Sequence, residues 1–192
     1  MTTARSHIDP HRAAITKGWR IELPFIHDDD LERIGYSHGH RGSVLVEPRS
    51  PMWLRRIGGQ FARYFSEETG FGLVWSAYSS EPIIVLLPSR ITVGDGQHYS
   101  GAVAVDPVAD LEDDTPGCAV AEWFYLHPFD RGRRIIDTNC PPILQRWPDI
   151  VISGPFTSAG KATAMRLGSP LIRDIPRTRT VSPPAARPKG HR

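Results

Sequence analysis

The stretch AVAEWFYLHPFDRGRRII, residues 119–136, constrains the fold of this chain more than any other segment. Its first half is apolar and rich in aromatic residues, as in a buried β-strand. Strict alternation divides the side chains into two faces, with Val120, Glu122, Phe124 and Leu126 on one and Ala119, Ala121, Trp123 and Tyr125 on the other. Because both faces are mostly apolar, the segment is predicted to be a central strand covered on both sides.

A proline turn and a basic loop follow the predicted strand. Pro128 has no N–H to donate, so it ends strand pairing. The run Arg131-Gly132-Arg133-Arg134 then places cationic side chains and backbone N–H groups where a helix begins. The helix dipole and the N–H groups without intrahelical partners both favour an anion at such a position. The loop therefore predicts a phosphate-bearing ligand.

Residues 127–136, HPFDRGRRII, resemble the strand-to-helix signature of the GNAT superfamily of acyl-CoA-dependent N-acetyltransferases. That signature is Arg or Gln, two residues, Gly, one residue, then Gly or Ala. Arg131 stands at its first position, and Arg134 and Ile136 stand where it has the two small residues. In that family the amides of this loop hold the pyrophosphate of coenzyme A. The resemblance implies acetyl-CoA as co-substrate and a set of cofactor-binding residues consisting of Leu126, Arg131, Gly132, Arg133, Arg134, Ile135 and Ile136.

The order of predicted elements is also similar to the GNAT core, over roughly residues 71–172. It implies the same fold class, an α/β domain whose mixed, mostly antiparallel sheet is flanked by helices. In that family the last helix often carries a Tyr that protonates the departing thiolate, and Ala164 falls at that position here. Tyr125 and Tyr99 are the phenols available for this role, and a water molecule is the remaining possibility.

Removing a proton from an incoming ammonium group needs a base, and a buried carboxylate on the central strand suits that task. Glu122 lies among apolar neighbours and is the leading candidate, although a structural carboxylate paired with an arginine is an equally good interpretation. Asp106, at the end of the preceding predicted strand, is a second candidate. The predicted catalytic residues are therefore Glu122 and Tyr125.

A chain of 192 residues suits one substantial domain rather than two. Residues 1–18 are polar and predicted to be a flexible N-terminus, and residues 19–172 are predicted to form the single domain. Residues 173–192 contain five Arg, one Lys and one His against one Asp, together with four Pro. Such a segment is predicted to be a disordered basic tail. It is also the main feature favouring nucleic acid, since the net charge of the whole chain is only +2.

The remaining elements are predicted from periodicity and turn residues. Strands are predicted at residues 19–26, 43–47, 71–78, 82–87, 99–105 and 149–153. Helices are predicted from residue 28, from 51 to about 70, from 131 to about 139 and over 158–167. Pro141-Pro142 is expected to end or kink the third helix. That helix joins two predicted strands and therefore indicates a parallel βαβ crossover.

Disulfide, metal and membrane chemistry are not indicated. Cys118 and Cys140 give neither a disulfide framework nor a ligand spacing, and are expected to be reduced thiols in the cytoplasm. His38 and His40 lie in a glycine-rich loop, residues 35–42, without a nearby partner at zinc-ligand spacing. No apolar run reaches the length of a membrane span, and the first residues lack the apolar region of a signal peptide. The loops at 35–42 and 94–98 are the expected acceptor-contact regions.

Three classes of function compete on this sequence. The first is an acyl-CoA-dependent N-acyltransferase that acts on a small-molecule or peptide amine. The second is a binding or structural module that keeps the GNAT-like fold without the chemistry, which Arg134, Ile136 and Ala164 favour. The third is a nucleic-acid-associated protein that uses the basic tail, although the chain has no recognisable nucleic-acid-reading motif.

Overall fold

The computed structural model describes residues 22–70, 75–78, 82–109, 118–153, 165 and 172–173. The strands among them are β1 (Phe25–His27), β2 (Val44–Val46), β3 (Ile83–Val93), β4 (Gly96–Ala109), β5 (Cys118–Leu126), β6 (Val151–Ser153) and β7 (Ile172–Arg173). The helices are α1 (Asp28–Arg33), α2 (Met52–Thr69) and α3 (Ile135–Arg146), and a short 3₁₀ helix, Pro128–Asp130, follows β5. None of the described helices is long and apolar enough to cross a membrane.

The described strands form one mixed, mostly antiparallel sheet in the order β2-β3-β4-β5-β6-β7, and β1 pairs with the start of β4. The pairs from β2 to β5 are antiparallel, whereas β5–β6 and β6–β7 are parallel. The segment at 119–126 is therefore a central strand, as predicted. The parallel pairing of β5 with β6 across α3 also confirms the predicted βαβ crossover. The fold class is the predicted one, a mixed α/β sheet flanked by helices.

A long hairpin of β3 and β4 forms the middle of the sheet. Val93 pairs with Gly96, so Gly94 and Asp95 alone make the turn, and the Gly-Asp-Gly sequence is typical of such a tight turn. Both strands are longer than the predicted 82–87 and 99–105. The extension contains buried polar residues with internal partners; the Gln97 amide, for example, donates to the Ser89 carbonyl O at 2.8 Å. Such residues interrupt the hydrophobic pattern of the sequence without interrupting the pairing of β3 with β4.

The α2 helix covers one face of the sheet. Its core cluster, called here the α2 face, includes Leu54, Phe61, Tyr64, Trp75, Ile84, Leu86, Tyr99, Ala102, Ala104, Trp123 and Tyr125. The helix is continuous through Gly58 and Gly59. A Cβ on Gly58 would lie 2.9 Å from the Trp75 ring, so the glycine gives the indole room to pack. Ile57, Phe61, Tyr64 and Phe65 recur at helical spacing and face this core, whereas Trp53 is exposed.

The α3 helix covers the opposite face. Ile135 and Ile143 pack there in a second cluster, called here the α3 face, with Val85, Leu87, Val103, Val105, Ala119, Ala121, Ile150 and Ile152. The prediction that Pro141-Pro142 ends the helix near residue 139 is wrong, because α3 continues to Arg146. Each proline removes one N–H donor from the helix ladder. Both prolines are exposed, however, and burial of the flanking Ile143 keeps the helix against the sheet.

Two strand predictions need correction. A strand is predicted at 71–78, but the described part of that range, residues 75–78, is not in a strand. Trp75 leads into a turn there, and its Nε1–H donates to the Pro82 carbonyl O at 3.0 Å. The aromatic residue Trp75 favours a strand in the sequence, but its indole ring is instead buried in the core. The strand predicted at 19–26 is confirmed only for its end, because residues 22–24 are not in a strand and β1 begins at Phe25.

Several predictions fall wholly or partly outside the described residues. They concern the N-terminus at 1–18, the helix at 158–167 apart from the helical Met165, and the tail beyond Arg173. The short strand β7 was not predicted, since two residues carry no periodicity; its Arg173 pairs with Ser153 at the predicted start of the tail. Cys118 and Cys140 are not joined by a disulfide.

Candidate functional site

A β-bulge at Glu122 divides β5 into two halves. Ala104 of β4 pairs with Trp123, and the next β4 residue, Val105, pairs with Ala121, so that Glu122 is an extra residue in β5. A bulge of one residue moves the following side chains to the other face of the sheet.

The predicted division of β5 into two strictly alternating faces is therefore wrong. Trp123 and Tyr125 pack on the α2 face, whereas Ala119 and Ala121 pack on the α3 face. Phe124 and Leu126 join the α3 face, as partly buried residues. The sequence pattern could not reveal this because both faces of the strand are apolar.

The parallel pairing between β5 and β6 stops at the same bulge. Among the described residues, β6 pairs with β5 only at Val120–Val151 and Ala121–Ile152. A bulge bends its strand and increases its local twist. The second half of β5 thus runs beyond its ladder with β6 and leads into the loop at 127–134.

The start of this loop is anchored by buried polar groups. The His127 N–H donates to the Ser100 carbonyl O at 2.7 Å, and the Phe129 N–H donates to His127 Nδ1 at 3.1 Å. Asp130 is fully buried and its Oδ2 accepts from the Ser89 hydroxyl at 2.7 Å. Burial lowers the pKa of His127, and the accepted hydrogen bond at Nδ1 also requires that nitrogen to be unprotonated.

Two residues of the loop have left-handed backbone conformations. Gly132 has φ 74°, and Arg134, the residue before α3, has φ 60° and ψ 21°. Arg134 is the only non-glycine residue with positive φ in the described part of the chain. Glycine adopts this conformation readily, whereas a residue with a Cβ is strained in it. Arg134 occupies the place where the GNAT signature has glycine, so the backbone keeps a glycine-like conformation although the residue is not glycine.

The three arginine side chains of the loop have different surroundings. The Arg131 guanidinium donates to the Leu126 carbonyl O at 2.8 Å and to Glu68 Oε2 at 2.5 Å. The Arg133 guanidinium lies over the Phe129 ring, 4.6 Å from its centroid. Arg134 is exposed, and its Nε lies 3.5 Å from an Asp137 carboxylate oxygen.

The backbone of the loop leads into the start of α3, where the first N–H groups have no intrahelical acceptor. Ile135 is buried at this point, and Ile136 is partly buried on the α3 face. The N-terminus of α3 is therefore held against the sheet by apolar packing. Gly132 and Arg134 are exposed, so the loop surface is open to solvent.

Tyr125 is buried next to α2. Its ring centroid lies 6.0 Å from that of Phe61 and 5.9 Å from that of Tyr64, and its buried Oη has no hydrogen-bond partner among the described residues. Burial raises the pKa of Tyr125, and the nearby Glu68 carboxylate raises it further. The phenol is consequently protonated at neutral pH and has a proton available for hydrogen bonding.

The other predicted acid–base residues lie apart from this phenol or have structural partners. Glu122 is half-buried at the bulge itself. Tyr99 is fully buried, its Oη is 3.4 Å from the Gly42 carbonyl O, and burial raises its pKa. Asp106 accepts a hydrogen bond from the Val108 N–H at 3.1 Å. Of the predicted set, Glu122 and Tyr125 are the two that β5 brings within a few residues of the loop.

The two loops suggested as acceptor-contact regions meet at a pocket of about 240 Å³. It is lined by His27, Asp28, Asp29, His38, Gly94 and Asp95. Asp28 is already engaged, because its carboxylate accepts from Arg41 at 2.6 and 3.1 Å, and this contact lowers the Asp28 pKa. Within the described ranges no group of three or more His, Cys, Asp or Glu residues is arranged to bind a metal ion.

Sequence reasoning missed three residues that shape the site. Glu68 is far from the loop in sequence and reaches it only through the packing of α2, so no local pattern points to it. His127 and Asp130 were treated as parts of a turn, yet both are buried. The sequence His-Pro-x-Asp after an apolar strand was the available signal, since His and Asp beside a proline turn often bond to the local backbone.

Comparison with known proteins supports the fold and only the fold. No protein-family profile and no curated protein sequence matches this chain. Among solved structures, the xEco2 acetyltransferase domain bound to a K105-CoA conjugate has a TM-score of 0.50 with 13% sequence identity. The match covers 69% of this chain and 92% of the xEco2 chain. The protein therefore has an acetyltransferase-type fold.

Proposed function

We propose that this protein is an acyl-CoA-dependent N-acyltransferase of the GNAT type that transfers an acetyl group from acetyl-CoA to a primary amine. The observation that carries the proposal is the left-handed Arg134 at the start of α3, in the loop that follows the bulged strand β5. A strained backbone at the position that the GNAT signature fills with glycine is best explained by a demand for that backbone shape. The xEco2 domain, which has the same type of fold, was solved bound to a CoA conjugate.

The loop suits a pyrophosphate group through its backbone. Residues 131–136 pass from the left-handed Gly132 and Arg134 into the first turn of α3, where the first N–H groups have no intrahelical acceptor. Anions bind well to such N–H groups because the helix dipole adds a partial positive charge. Arg133 and Arg134 add positive charge around the site, while Leu126 ends the strand along which the rest of the cofactor would lie.

The chemistry requires two proton movements. The amine nitrogen attacks the thioester carbonyl carbon, a C–N bond forms, the C–S bond breaks, and the electron pair leaves on the CoA sulfur. The proposed base, Glu122, takes the proton released by the ammonium group, directly or through water. The proposed acid is Tyr125, but its raised pKa favours a hydrogen bond to the departing thiolate over complete proton transfer. After the C–N bond has formed, the nitrogen loses its second proton, and water carries that proton to the thiolate to complete the free thiol.

Binding of coenzyme A tests the first half of the proposal. At a ligand concentration of 100 times Kd the free energy of unfolding should rise by about 2.7 kcal/mol, which thermal or chemical denaturation detects. ADP is the matched control, since it has a pyrophosphate but lacks the pantetheine arm, and it should bind more weakly. An unchanged melting temperature with saturating CoA and acetyl-CoA would rule out the proposed function.

Amine-dependent turnover tests the catalytic part of the proposal. It distinguishes an enzyme from a binding or structural module that keeps the fold without the chemistry. With a panel of primary amines, the wild-type protein should release free CoA thiol from acetyl-CoA in an amine-dependent manner. Glu122→Gln should lower kcat by about 10²–10⁴-fold without changing CoA affinity. The complete burial of Tyr125 against α2 is the observation that favours the module. CoA binding without any amine-dependent thiol release would establish it.

A further inference from the structure

Glu68, in the last turn of α2, is in direct contact with the loop that follows β5. Arg131 Nη2 donates to Glu68 Oε2 at 2.5 Å, and Nε of the same guanidinium donates to the Leu126 carbonyl O at 2.8 Å. Charge-assisted hydrogen bonds of this kind are stronger and more directional than neutral ones. The Arg131 side chain thus joins the end of α2, the end of β5 and the loop.

Arg131 places positive charge next to the negatively charged C-terminal end of α2. Glu67 and Glu68 lie in its last turn, and that turn contains no basic residue. Negative charge at a helix C-terminus opposes the helix dipole. Burial raises the pKa of Glu67, while Glu67 Oε1 is 3.8 Å from Arg63 Nε, a longer contact than that of Glu68 with Arg131. Arg131 is consequently the cation that balances this helix end.

The same contacts direct part of the Arg131 guanidinium toward β5 and α2. Its Nε and Nη2 donate to the Leu126 carbonyl O and to Glu68 Oε2, while the side chain as a whole is 44% exposed. Gly132 and Arg134 are exposed beside it, and their backbone leads into the start of α3.

We propose that Glu68 is a positioning residue that holds Arg131 against the end of β5, so that the loop offers backbone N–H groups, and not the Arg131 guanidinium, to the cofactor's pyrophosphate. This inference rests on the proposed function. It predicts a change in CoA affinity in the direction opposite to that expected from charge repulsion alone. Removing a negative charge close to an anionic ligand normally tightens binding, whereas here the neutral variant loses the loop geometry and binds more weakly.

The first test compares two variants that each remove one ion pair. Glu68→Gln should weaken CoA binding about tenfold in isothermal titration and raise the KM for acetyl-CoA by a similar factor, with little change in kcat. Glu47→Gln is the matched control, because Glu47 Oε1 accepts from Arg146 Nη2 at 2.9 Å at the other end of α3. The control should bind CoA like the wild type. Unchanged or tighter binding by Glu68→Gln would overturn the proposal.

A charge reversal separates positioning from direct phosphate binding. Arg131→Glu should weaken CoA binding strongly, and the double variant Glu68→Arg/Arg131→Glu should recover part of that loss by restoring the ion pair in reverse. The hydrogen bond to the Leu126 carbonyl O is not restored, because a glutamate side chain has no donor. If Arg131 were itself the phosphate ligand, a glutamate at that position would still repel the cofactor. Absence of recovery in the double variant would therefore contradict a positioning role.

Hydrogen exchange keeps the inference testable without the cofactor. In the free protein, Glu68→Gln should increase amide exchange across residues 127–134, and Glu47→Gln should leave it unchanged. If the wild type fails to bind CoA, the proposed function fails, and this measurement still decides the role of Glu68. Equal exchange in wild type and Glu68→Gln would show that Glu68 does not position the loop.

Discussion

Replacement of Arg134 by glycine should stabilise the protein although it removes a side chain. A left-handed conformation costs a residue with a Cβ roughly 1–2 kcal/mol, and Arg134 has φ 60° and ψ 21°. Glycine avoids that strain but loses roughly 0.5–1 kcal/mol through the greater freedom of the unfolded chain. The Arg134–Asp137 contact adds little, because the Arg134 side chain is 81% exposed. The net gain should be about 0.5–1 kcal/mol.

Arg134→Ala is the control that isolates the backbone term. It removes the same charge and the same contact with Asp137 but keeps the Cβ, so it should be no more stable than the wild type. Urea denaturation measures both variants, and the expected gain for Arg134→Gly corresponds to a rise in Tm of about 1–4 °C for a protein of this size. If Arg134→Gly were less stable than Arg134→Ala, residue 134 would not have a left-handed backbone, and the argument from the loop's shape would fail.

Three further predictions follow from the same part of the structure. Arg131→Ala should weaken CoA binding about tenfold or more. Arg134→Gly should weaken it less or tighten it, because glycine permits closer approach of the backbone. Equal losses of CoA affinity in isothermal titration would contradict this prediction. His127 is kept neutral by burial, so the unfolded chain binds more protons below about pH 6.5 and stability should fall as the pH is lowered through that range. His127→Asn, which retains an acceptor for the Phe129 N–H, should show a smaller decrease between pH 7.5 and 5.5 in urea titrations. Removal of residues 174–192 should leave the melting temperature within a few degrees of the wild-type value, since the segment has few apolar anchors; a larger decrease would show that it docks on the domain.

Local chemistry was sufficient to predict the features that depend on neighbouring residues. The Gly94-Asp95 turn follows from residues that favour tight turns, and the parallel crossover follows from an apolar strand, a helix and a second apolar strand in succession. The helix from Pro51 to Gly70 was predicted from its periodicity, and Gly70 ends it in a left-handed conformation with φ 74°.

Features that depend on distant partners were not predictable in this way. The continuation of α3 through Pro141-Pro142 depends on the packing of Ile143 against the sheet, which outweighs the local preference of proline to end a helix. The contact of Glu68 with Arg131 joins residues that are 63 positions apart. Glu67 has Arg63 four residues before it, whereas Glu68 has no basic residue three or four positions before it in α2. That pattern indicates a partner for Glu68 from elsewhere in the chain but does not identify it.

The bulge at Glu122 explains why the C-terminal end of α2 affects both the loop after β5 and the Tyr125 phenol. Without the extra residue, Tyr125 would share the α3 face with Ala119 and Ala121, far from Tyr64. With it, the phenol turns toward α2, and the end of β5 approaches the last turn of that helix. Glu68 then contacts the loop through Arg131 and also raises the pKa of the Tyr125 phenol. Deletion of the bulge should therefore disturb the loop and the phenol together, whereas substitution of Glu68 should disturb the loop while leaving the sheet register and the buried phenol in place.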